Sequence, residues 1–380
     1  MGAPLIVFRT DASLAIGTGH VMRGLTLADA LRERGARSHF ICRAHDGNLI
    51  EHIRARGHTV TALPVSKMAA TDTDSSSAHA HWLGTDWASD ARETLAALQG
   101  QCADWLVVDH YALDVRWENL LRPACQQLLV IDDLADRAHD CELLLDQNLG
   151  RLARDYAHWV PTHCTVLAGP QYALLRPEFA AWRGRSLARR FKPQLQQLLI
   201  TLGGVDKDNA TVQVLHALRG CPLPDDCKLT VVMGPHAPWL ADVRAQAAQM
   251  PWPTEVRSDV CNMAELMASS DLAIGAAGST NWERCCLGLP SLLLVLADNQ
   301  QSSADALAQA HAVRVLALAS LAVCLPVHFR TLASGDTLAA LGTAAQAITS
   351  GNGAMQLSLQ MLPSATSIRA QAYPQAGETC

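Results

Sequence analysis

The stretch Leu5-Ile6-Val7-Phe8-Arg9-Thr10-Asp11, continued by Gly17-Thr18-Gly19-His20-Val21-Met22-Arg23, decides the class of fold. Its apolar run predicts a buried strand, and the glycine loop leads into a helix. In open α/β sheets, ligands bind beyond the carboxyl ends of the strands, where this loop lies. Gly17 and Gly19 let the backbone approach a ligand, and His20 is the loop's one side chain that exchanges a proton near neutral pH. A β–α turn whose histidine only caps or packs explains this stretch alone equally well.

The length and composition predict two domains with sizeable cores. The chain has 380 residues, more than one typical domain, and 49% of them are hydrophobic. The net charge of −6, with Lys and Arg scattered, argues against nucleic-acid binding and against a basic membrane-binding face. We see no signal-like segment and no apolar run of about 18 residues, so we expect a cytoplasmic chain without a membrane span. The twelve cysteines lack C-x-x-C spacing, which favours reduced thiols over a metal site.

Strand-like and helix-like segments alternate along both halves of the chain. The predicted strands are residues 5–8, 38–42, 60–63, 105–109, 127–132 and 143–146, then 195–201, 228–233, 254–257, 271–274 and 291–296. Repeated βα winding predicts parallel sheets covered by helices. The expected fold is therefore α/β, with two Rossmann-like lobes, 1–165 and 191–330, joined by a linker at 166–190 and separated by a cleft. We expect residues 68–89 to be a loop, and 331–380 to be an extension that is weakly structured after about residue 351.

A second chemical signal is the glycine loop Gly275-Ala276-Ala277-Gly278-Ser279-Thr280. Its backbone N–H groups, the hydroxyls of Ser279 and Thr280, and the helix that follows can hold a phosphate or diphosphate. Glu283, one helical turn further on, is placed to accept hydrogen bonds from ribose hydroxyls. The loop at Gly203-Gly204 is similar and opens another helix of the same lobe. One such loop is weak evidence, because many α/β turns need glycine for steric reasons, but two favour a nucleotide site between them.

Several polar residues of the first half allow two interpretations. Asp132-Asp133 could bind a metal, but acids at a strand end more often cap turns or bind sugar hydroxyls, and we favour no metal. Asp109-His110-Tyr111 end a strand, so they are candidates for sugar binding or for structural hydrogen bonds. Asp11 is a candidate to orient His20 or to position a water molecule, or it caps the loop. Arg23 either reaches a phosphate or pairs with an acid.

These and further segments resemble the UDP-sugar hydrolases of the pseudaminic acid pathway. The resemblance covers roughly the first 310 residues in the right order, and no family motif is recognisable past about residue 330. The segments that carry it are Arg9-Thr10-Asp11-Ala12-Ser13, Ile16-Gly17-Thr18-Gly19-His20-Val21-Met22-Arg23, Val107-Val108-Asp109-His110-Tyr111, Ile131-Asp132-Asp133-Leu134-Ala135-Asp136-Arg137, Leu145-Asp146-Gln147-Asn148, Gly169-Pro170-Gln171-Tyr172, Thr201-Leu202-Gly203-Gly204-Val205-Asp206, Gly278-Ser279-Thr280-Asn281-Trp282-Glu283-Arg284 and Asp298-Asn299-Gln300. That family in turn resembles inverting nucleotide-sugar transferases of the GT-B type.

The resemblance implies a specific reaction. Water replaces UDP at C1 of 2,4-diacetamido-2,4,6-trideoxy-β-L-altropyranose with inversion, in a pathway that serves flagellin glycosylation. It implies that His20 is the catalytic base, a role that suits a group exchanging protons near neutral pH. It also places the uracil and ribose contacts in the second lobe, with Glu283 as the ribose candidate and Asp206 or Asn209 as a second contact. No cofactor, metal or obligate protein partner is implied.

Two other function classes share these features. A glycosyltransferase of the same fold would pass the sugar to an acceptor hydroxyl, and would need an acceptor groove, often with a basic or apolar patch, which the sequence does not show. A non-catalytic sensor of nucleotide sugars is compatible with the composition, but the histidine of the Gly17–His20 loop argues against it. Incubation with a UDP-sugar and no acceptor separates all three classes.

Overall fold

The computed structural model describes residues 2–65, 79–235, 237–332 and 335–363, except the side chain at position 299. The chain folds into two lobes, each built on a parallel sheet. In the described part of the first lobe the sheet has seven strands in the order β3-β2-β1-β4-β5-β6-β7. These strands are β1 (Leu5–Thr10), β2 (Arg37–Arg43), β3 (Thr59–Leu63), β4 (Ala103–Asp109), β5 (Cys125–Ile131), β6 (Leu143–Asp146) and β7 (Thr165–Ala168). The two-lobed α/β prediction is confirmed.

Helices cover both faces of the first sheet because its strands are apolar on both sides. Ile6 and Phe8 pack in one apolar cluster, whereas Val7, which points the opposite way, packs in the other. The helices are α1 (Gly19–Glu33), α2 (Ile50–Ala55), α3 (Trp87–Leu98) and α4 (Val115–Leu121). The predicted linker 166–190 begins inside β7 and then forms α5 (Pro177–Arg189), so the first sheet extends further than the sequence suggested.

The second lobe repeats the winding with a six-stranded sheet in the described residues, in the order β10-β9-β8-β11-β12-β13. Its strands are β8 (Gln197–Thr201), β9 (Lys228–Met233), β10 (Thr254–Ser258), β11 (Leu272–Ala276), β12 (Ser291–Leu294) and β13 (Arg314–Leu316). Its helices up to residue 309 are α6 (Ala210–Leu218), α7 (Leu240–Ala247), α8 (Met263–Ser269), α9 (Thr280–Cys286) and α10 (Gln301–Gln309). In both lobes the loops that the sequence singled out follow the carboxyl ends of strands.

The C-terminal part is more ordered than the sequence analysis expected. It forms α11 (Leu321–Leu332), α12 (Gly335–Gln346) and α13 (Gly353–Met361). Helix α13 returns to the first lobe, where Ala354, Leu357 and Met361 join the apolar cluster of β1. The expectation of weak structure after about residue 351 is therefore wrong as far as residue 361, because these three residues share one helix face. The rest of that expectation, from residue 364 onward, lies outside the described residues.

The described helices were also compared with the length and composition of a membrane span. No single one of them is long and apolar enough to cross a membrane. The segments Leu318–Leu332 and Gly335–Gln346 meet that criterion only as a pair, across a bend of 98°.

A buried network of charges anchors the carboxyl edge of β1 and β2. Asp90 of α3 accepts hydrogen bonds from Arg9 Nε at 3.0 Å and Arg9 Nη2 at 2.6 Å, and from Arg43 Nη2 at 2.6 Å. The side chains of all three residues are fully buried. Burial alone would raise the pKa of Asp90, but the two guanidinium groups outweigh it and hold the pKa at about 2. The carboxylate therefore stays ionised and compensates two buried cations.

We expect Asp90→Ala to lower the free energy of unfolding by roughly 3–5 kcal/mol, because it leaves two buried guanidinium groups without their shared counter-charge. Urea denaturation followed by circular dichroism measures the loss. Glu51→Ala is the matched control, since Glu51 pairs with Arg54 at the surface and its side chain is 83% exposed. Equal, small effects of both substitutions would contradict the proposed importance of the buried network.

Candidate active site

The first-lobe glycine loop closes tightly before it enters α1. Ser13 and Gly17 pair as an isolated bridge, with Gly17 N donating to Ser13 O at 2.8 Å. Gly17 has φ of +80°, a conformation that favours glycine. Helix α1 begins at Gly19, so His20 lies in its first turn, directly beyond the carboxyl edge of the sheet. This is the position that the sequence predicted for it.

The partner of His20 is Asp109, the last residue of β4. Its Oδ1 lies 2.5 Å from His20 Nδ1. Arg23, one turn further along α1, donates from Nε to Asp109 Oδ2 and from Nη2 to Asp109 Oδ1, both at 2.7 Å. Burial opposes ionisation of Asp109, but Arg23 and His20 outweigh it, so its pKa lies well below the ordinary range. An ionised carboxylate at Nδ1 orients the imidazole and leaves Nε2 outside this contact.

Asp133, which follows β5, extends this cluster. Its Oδ2 accepts from Arg23 Nη1 at 2.8 Å and from the Tyr111 hydroxyl at 2.6 Å. Its Oδ1 accepts from Asn148 Nδ2 at 3.0 Å. The carboxylates therefore use both ends of Arg23, so this guanidinium pairs with acids and is not free for a phosphate. The carboxylate of Asp109 and the hydroxyl of Tyr111 are likewise hydrogen-bonded within the cluster.

Two candidates from the first lobe do not reach His20. Asp11 is fully buried and accepts from Arg9 Nη1 at 2.7 Å and from the backbone N of Arg43 at 2.6 Å. The carboxylate that orients His20 is therefore Asp109, which corrects the suggested role of Asp11. His110 is also buried and accepts at Nδ1 from the backbone N of Ala112. Burial lowers the pKa of His110 to about 3, so its imidazole is neutral.

Aromatic rings line the first lobe beside His20. The Tyr111 ring packs edge-on against the His20 ring with centroids 4.7 Å apart, and Trp82 stacks on Tyr111 at 5.7 Å. The His79 ring packs against the Trp82 ring with centroids 4.5 Å apart. Trp82 was not predicted as a site residue because it lies within the expected loop 68–89, of which residues 68–78 are outside the described residues.

The second-lobe glycine loop faces the first across the cleft. A Cβ added to Gly19 would lie 3.6 Å from Ser279 Oγ, so the two loops are nearly in contact. A Cβ on Gly278 would meet no atom within 4 Å, which leaves open space above that loop. Glu283 follows in α9 with a side chain that is 17% exposed, and its Oε1 lies 3.9 Å from Arg176 Nη2. Burial raises the pKa of Glu283 to about 7, although Arg176 and Arg284 oppose the shift.

The second-lobe loop that begins at Gly203 and Gly204 contains Asp206 and Asn209, the two predicted candidates for a second nucleotide contact. Asp206 accepts from the backbone N of Ala210 at 2.8 Å and of Thr211 at 2.9 Å, so its carboxylate caps α6. Both carboxylate oxygens of Asp206 therefore already accept a backbone hydrogen bond, which gives the residue a structural role whether or not it also contacts a nucleotide. Asn209 has φ of +52°, and in the described part of the chain its buried Oδ1 has no hydrogen-bond partner. Gly203 and Gly204 are exposed, and Gly204 O accepts from Gly234 N at 2.9 Å.

The carboxylates of the acidic pair Asp132-Asp133 have partners within the protein. Asp132 Oδ1 lies 2.8 Å from Arg137 Nη1, and its Oδ2 accepts from the backbone N of Ala135 at 2.8 Å. Arg23 and Tyr111 occupy Asp133. Among the described residues, no group of three or more His, Cys, Asp or Glu side chains is arranged to hold a metal ion.

Comparison with known proteins identifies relatives of the chain. No protein-family model matches it. It is 26% identical over 304 residues to the UDP-2,4-diacetamido-2,4,6-trideoxy-beta-L-altropyranose hydrolase of Campylobacter jejuni, covering 80% of this chain and 96% of that protein. It is 24% identical over 304 residues to the uncharacterized protein MJ1062 of Methanocaldococcus jannaschii, a match that spans 79% of this chain but only 57% of the relative's length.

Solved structures share the fold at low identity. MurG of Acinetobacter baumannii superposes with a TM-score of 0.66 at 16% identity, covering 94% of this chain and 99% of that one. The calicheamicin glycosyltransferase CalG4 superposes with a TM-score of 0.62 at 14% identity, covering 99% of this chain and all of the other. The chain is thus a GT-B protein by fold and, by sequence, a relative of the Campylobacter UDP-sugar hydrolase.

Proposed function

We propose that the chain hydrolyses UDP-2,4-diacetamido-2,4,6-trideoxy-β-L-altropyranose to UDP and 2,4-diacetamido-2,4,6-trideoxy-L-altrose, with inversion at C1. The name of the Campylobacter relative supports the substrate. The observation that carries the chemistry is the His20–Asp109 pair, 2.5 Å apart, at the edge of the cleft that the second-lobe glycine loop faces. A base held in one tautomer beside a nucleotide loop suits a reaction in which water attacks a sugar bound to a diphosphate.

In the proposed reaction, a water oxygen attacks C1 of the sugar while the bond from C1 to the diphosphate oxygen breaks. His20 Nε2 takes the proton from the water, and the electron pair of the broken bond leaves with UDP. The ionised Asp109 stabilises the imidazolium that forms, because it lies against Nδ1. The transition state has oxocarbenium character, so deprotonation of the water need not be far advanced, and one well-placed base suffices.

The second lobe is the proposed UDP site. The backbone N–H groups and hydroxyls of the loop at Gly278, Ser279 and Thr280 would bind the diphosphate, and Glu283 would accept from the ribose hydroxyls. Gly203, Gly204 and Asn209 remain candidates for contacts with the nucleotide, supported by the exposure of the glycines and by the unpartnered Asn209 Oδ1 in the described structure. UDP is a good leaving group, so the reaction requires no strong general acid.

We further propose that the reaction needs no metal. Asp109 and Asp133 already have Arg23 as a counter-ion, and Asp132 has Arg137, which supports a site that does not recruit a cation. The alternative function, transfer of the sugar to an acceptor hydroxyl, is supported by the fold that the chain shares with MurG and CalG4.

The hydrolase assignment also implies a cytoplasmic enzyme without an obligate protein partner, supplying a sugar for flagellin glycosylation.

The proposed base is tested by His20→Asn and His20→Ala. We expect turnover of the UDP-sugar, without acceptor, to fall by about 100-fold or more, as for the loss of a general base. UDP binding should persist, because the proposed nucleotide site lies on the other lobe. Coupled detection of released UDP measures the rate, and calorimetry measures binding.

His163→Asn is the matched control for that experiment. His163 is a histidine of the same lobe whose side chain is 54% exposed, and its substitution should leave the rate unchanged. Turnover near that of the unmodified protein in His20→Asn would remove His20 as the base. Turnover that appears only after an acceptor is added would favour the glycosyltransferase alternative.

The proposed ribose contact is tested at Glu283. We expect Glu283→Ala to weaken UDP binding by roughly 1–3 kcal/mol, the range for hydrogen bonds to a charged group. Because its pKa is about 7 in the free protein, UDP affinity should also rise as pH increases through that value and the carboxyl ionises. Glu283→Gln should lack this component, and it also corrects for titration of UDP itself. Unchanged calorimetric affinity in Glu283→Ala would assign the residue a structural role only.

Stereochemistry and metal dependence test the mechanism as a whole. A single displacement by water leaves no covalent intermediate, so NMR of the first-formed product should show the inverted anomer. A chelator should leave the rate unchanged. Retained configuration would require a nucleophile on the protein, and inactivation by EDTA that magnesium reverses would require a cation at the diphosphate.

A further inference from the structure

Beneath the second-lobe glycine loop lies a buried arginine to which neither the sequence analysis nor the proposed mechanism gave a role. Arg284 of α9 is 1% exposed. Its Nη2 donates to Ala276 O at 2.7 Å and to Asn281 Oδ1 at 2.5 Å, and its Nη1 lies 3.2 Å from Thr280 Oγ1. All three acceptors are neutral oxygens of the loop or of the first turn of α9. Arg284 Nε has no hydrogen-bond partner in the described structure.

The fold provides space for this guanidinium at the end of β11. A Cβ added to Gly275 would lie 2.3 Å from Arg284 Nη1, so a larger residue at this position would displace the guanidinium from its present place. In the described residues no carboxylate forms an ion pair with Arg284, and Glu283 acts on it only through space. A buried cation without a paired anion is costly, so proteins normally retain one only where a counter-charge arrives. The open space above Gly278 is where such a charge can enter.

The helix that follows the loop supplies little positive potential by itself. Helix α9 has only seven residues, about two turns, and therefore few aligned peptide dipoles. A full positive charge held within hydrogen-bonding distance of Thr280 provides a stronger and equally fixed field. Because Arg284 is tied to the loop by three contacts, this charge does not have to be reorganised when a ligand binds.

We propose that Arg284 is the buried positive charge that selects and holds the diphosphate of UDP in the second-lobe loop, acting through the loop without touching the ligand. As the bond to C1 breaks, negative charge grows on the diphosphate, and the same fixed cation stabilises it. Arg284 is thus a positioning and electrostatic residue of the UDP site. This inference rests on the proposed nucleotide site, but not on hydrolysis.

The chain contains a matched structural counterpart at the opposite end of the same strand. Arg190 donates from Nη2 to Met267 O at 3.1 Å and to Ser270 O at 2.9 Å, just before β11 begins. Burial lowers the pKa of both Arg190 and Arg284 to about 10. An arginine that only ties backbone together should behave alike at both ends, whereas a charge that serves a ligand should matter only at the loop.

Calorimetric titration with UDP and with uridine tests the proposal. Arg284→Gln should bind UDP about tenfold or more weakly, because a charge–charge interaction is lost, while uridine affinity stays within about twofold. Arg284→Lys, which retains the charge, should recover most of the UDP affinity. Arg190→Gln should change neither ligand. Parallel losses for UDP and uridine in Arg284→Gln, or failure of lysine to restore UDP binding, would overturn the electrostatic role.

Two further measurements keep the test decisive. Should Arg284→Gln fail to fold, thermal denaturation of the unmodified protein replaces it: pyrophosphate and UDP should raise the melting temperature, and uridine should raise it less. Stabilisation by uridine equal to that by UDP, or none by pyrophosphate, would overturn the inference. A protein that binds UDP through Arg284 yet does not hydrolyse the UDP-sugar would refute the proposed function alone, whereas no UDP binding by the unmodified protein would refute the nucleotide site itself.

Discussion

One carboxylate, that of Asp109 at the end of β4, fixes the positions of the candidate active-site side chains of the first lobe. Both of its oxygens are engaged by helix α1, Oδ1 by His20 and Oδ2 by Arg23. These two residues are three apart in the sequence, so they share one face of the helix and meet a single strand end. Arg23 also donates a hydrogen bond to Asp133, and Asp133 in turn accepts one from the Tyr111 hydroxyl, so the positions of these side chains are linked. The position of the imidazole is therefore determined by the register of β4 beside β1, where Asp109 lies opposite Thr10.

The two lobes carry opposite kinds of charge at the cleft. The first lobe presents acids, Asp109 and Asp133, whose charge Arg23 largely neutralises. The second lobe presents backbone N–H groups above the buried Arg284. An anionic ligand is accordingly favoured on the second lobe and is not strongly repelled by the first. The proposed base and the proposed diphosphate loop lie on facing sides of the cleft, since a Cβ added to Gly19, next to His20, would lie 3.6 Å from Ser279 Oγ.

Much of the fold could be predicted from the sequence, because buried parallel strands are short apolar runs and their loops contain glycine. The position of His20 followed from the same pattern. The partner of His20 could not be predicted, since Asp11 and Asp109 both follow apolar strands and only the packing shows that Asp11 faces Arg9. Helix α13 was missed because it is only nine residues long and packs on a lobe that is distant in sequence. Arg284 looked like an ordinary charged residue of a helix, and only its burial distinguishes it.

The GT-B fold alone does not distinguish hydrolysis from transfer, because both reactions need the same leaving group and the same base. The distinction lies in what can approach the basic nitrogen. In the described part of the cleft, the Tyr111 ring packs 4.7 Å from the imidazole and the Trp82 ring 6.5 Å from it. Rings so close to His20 on the first lobe support the proposal that the nucleophile is small, such as water, and not a bulky acceptor. On this proposal, Tyr111 and Trp82 beside His20, more than His20 itself, distinguish hydrolysis from transfer on the GT-B fold.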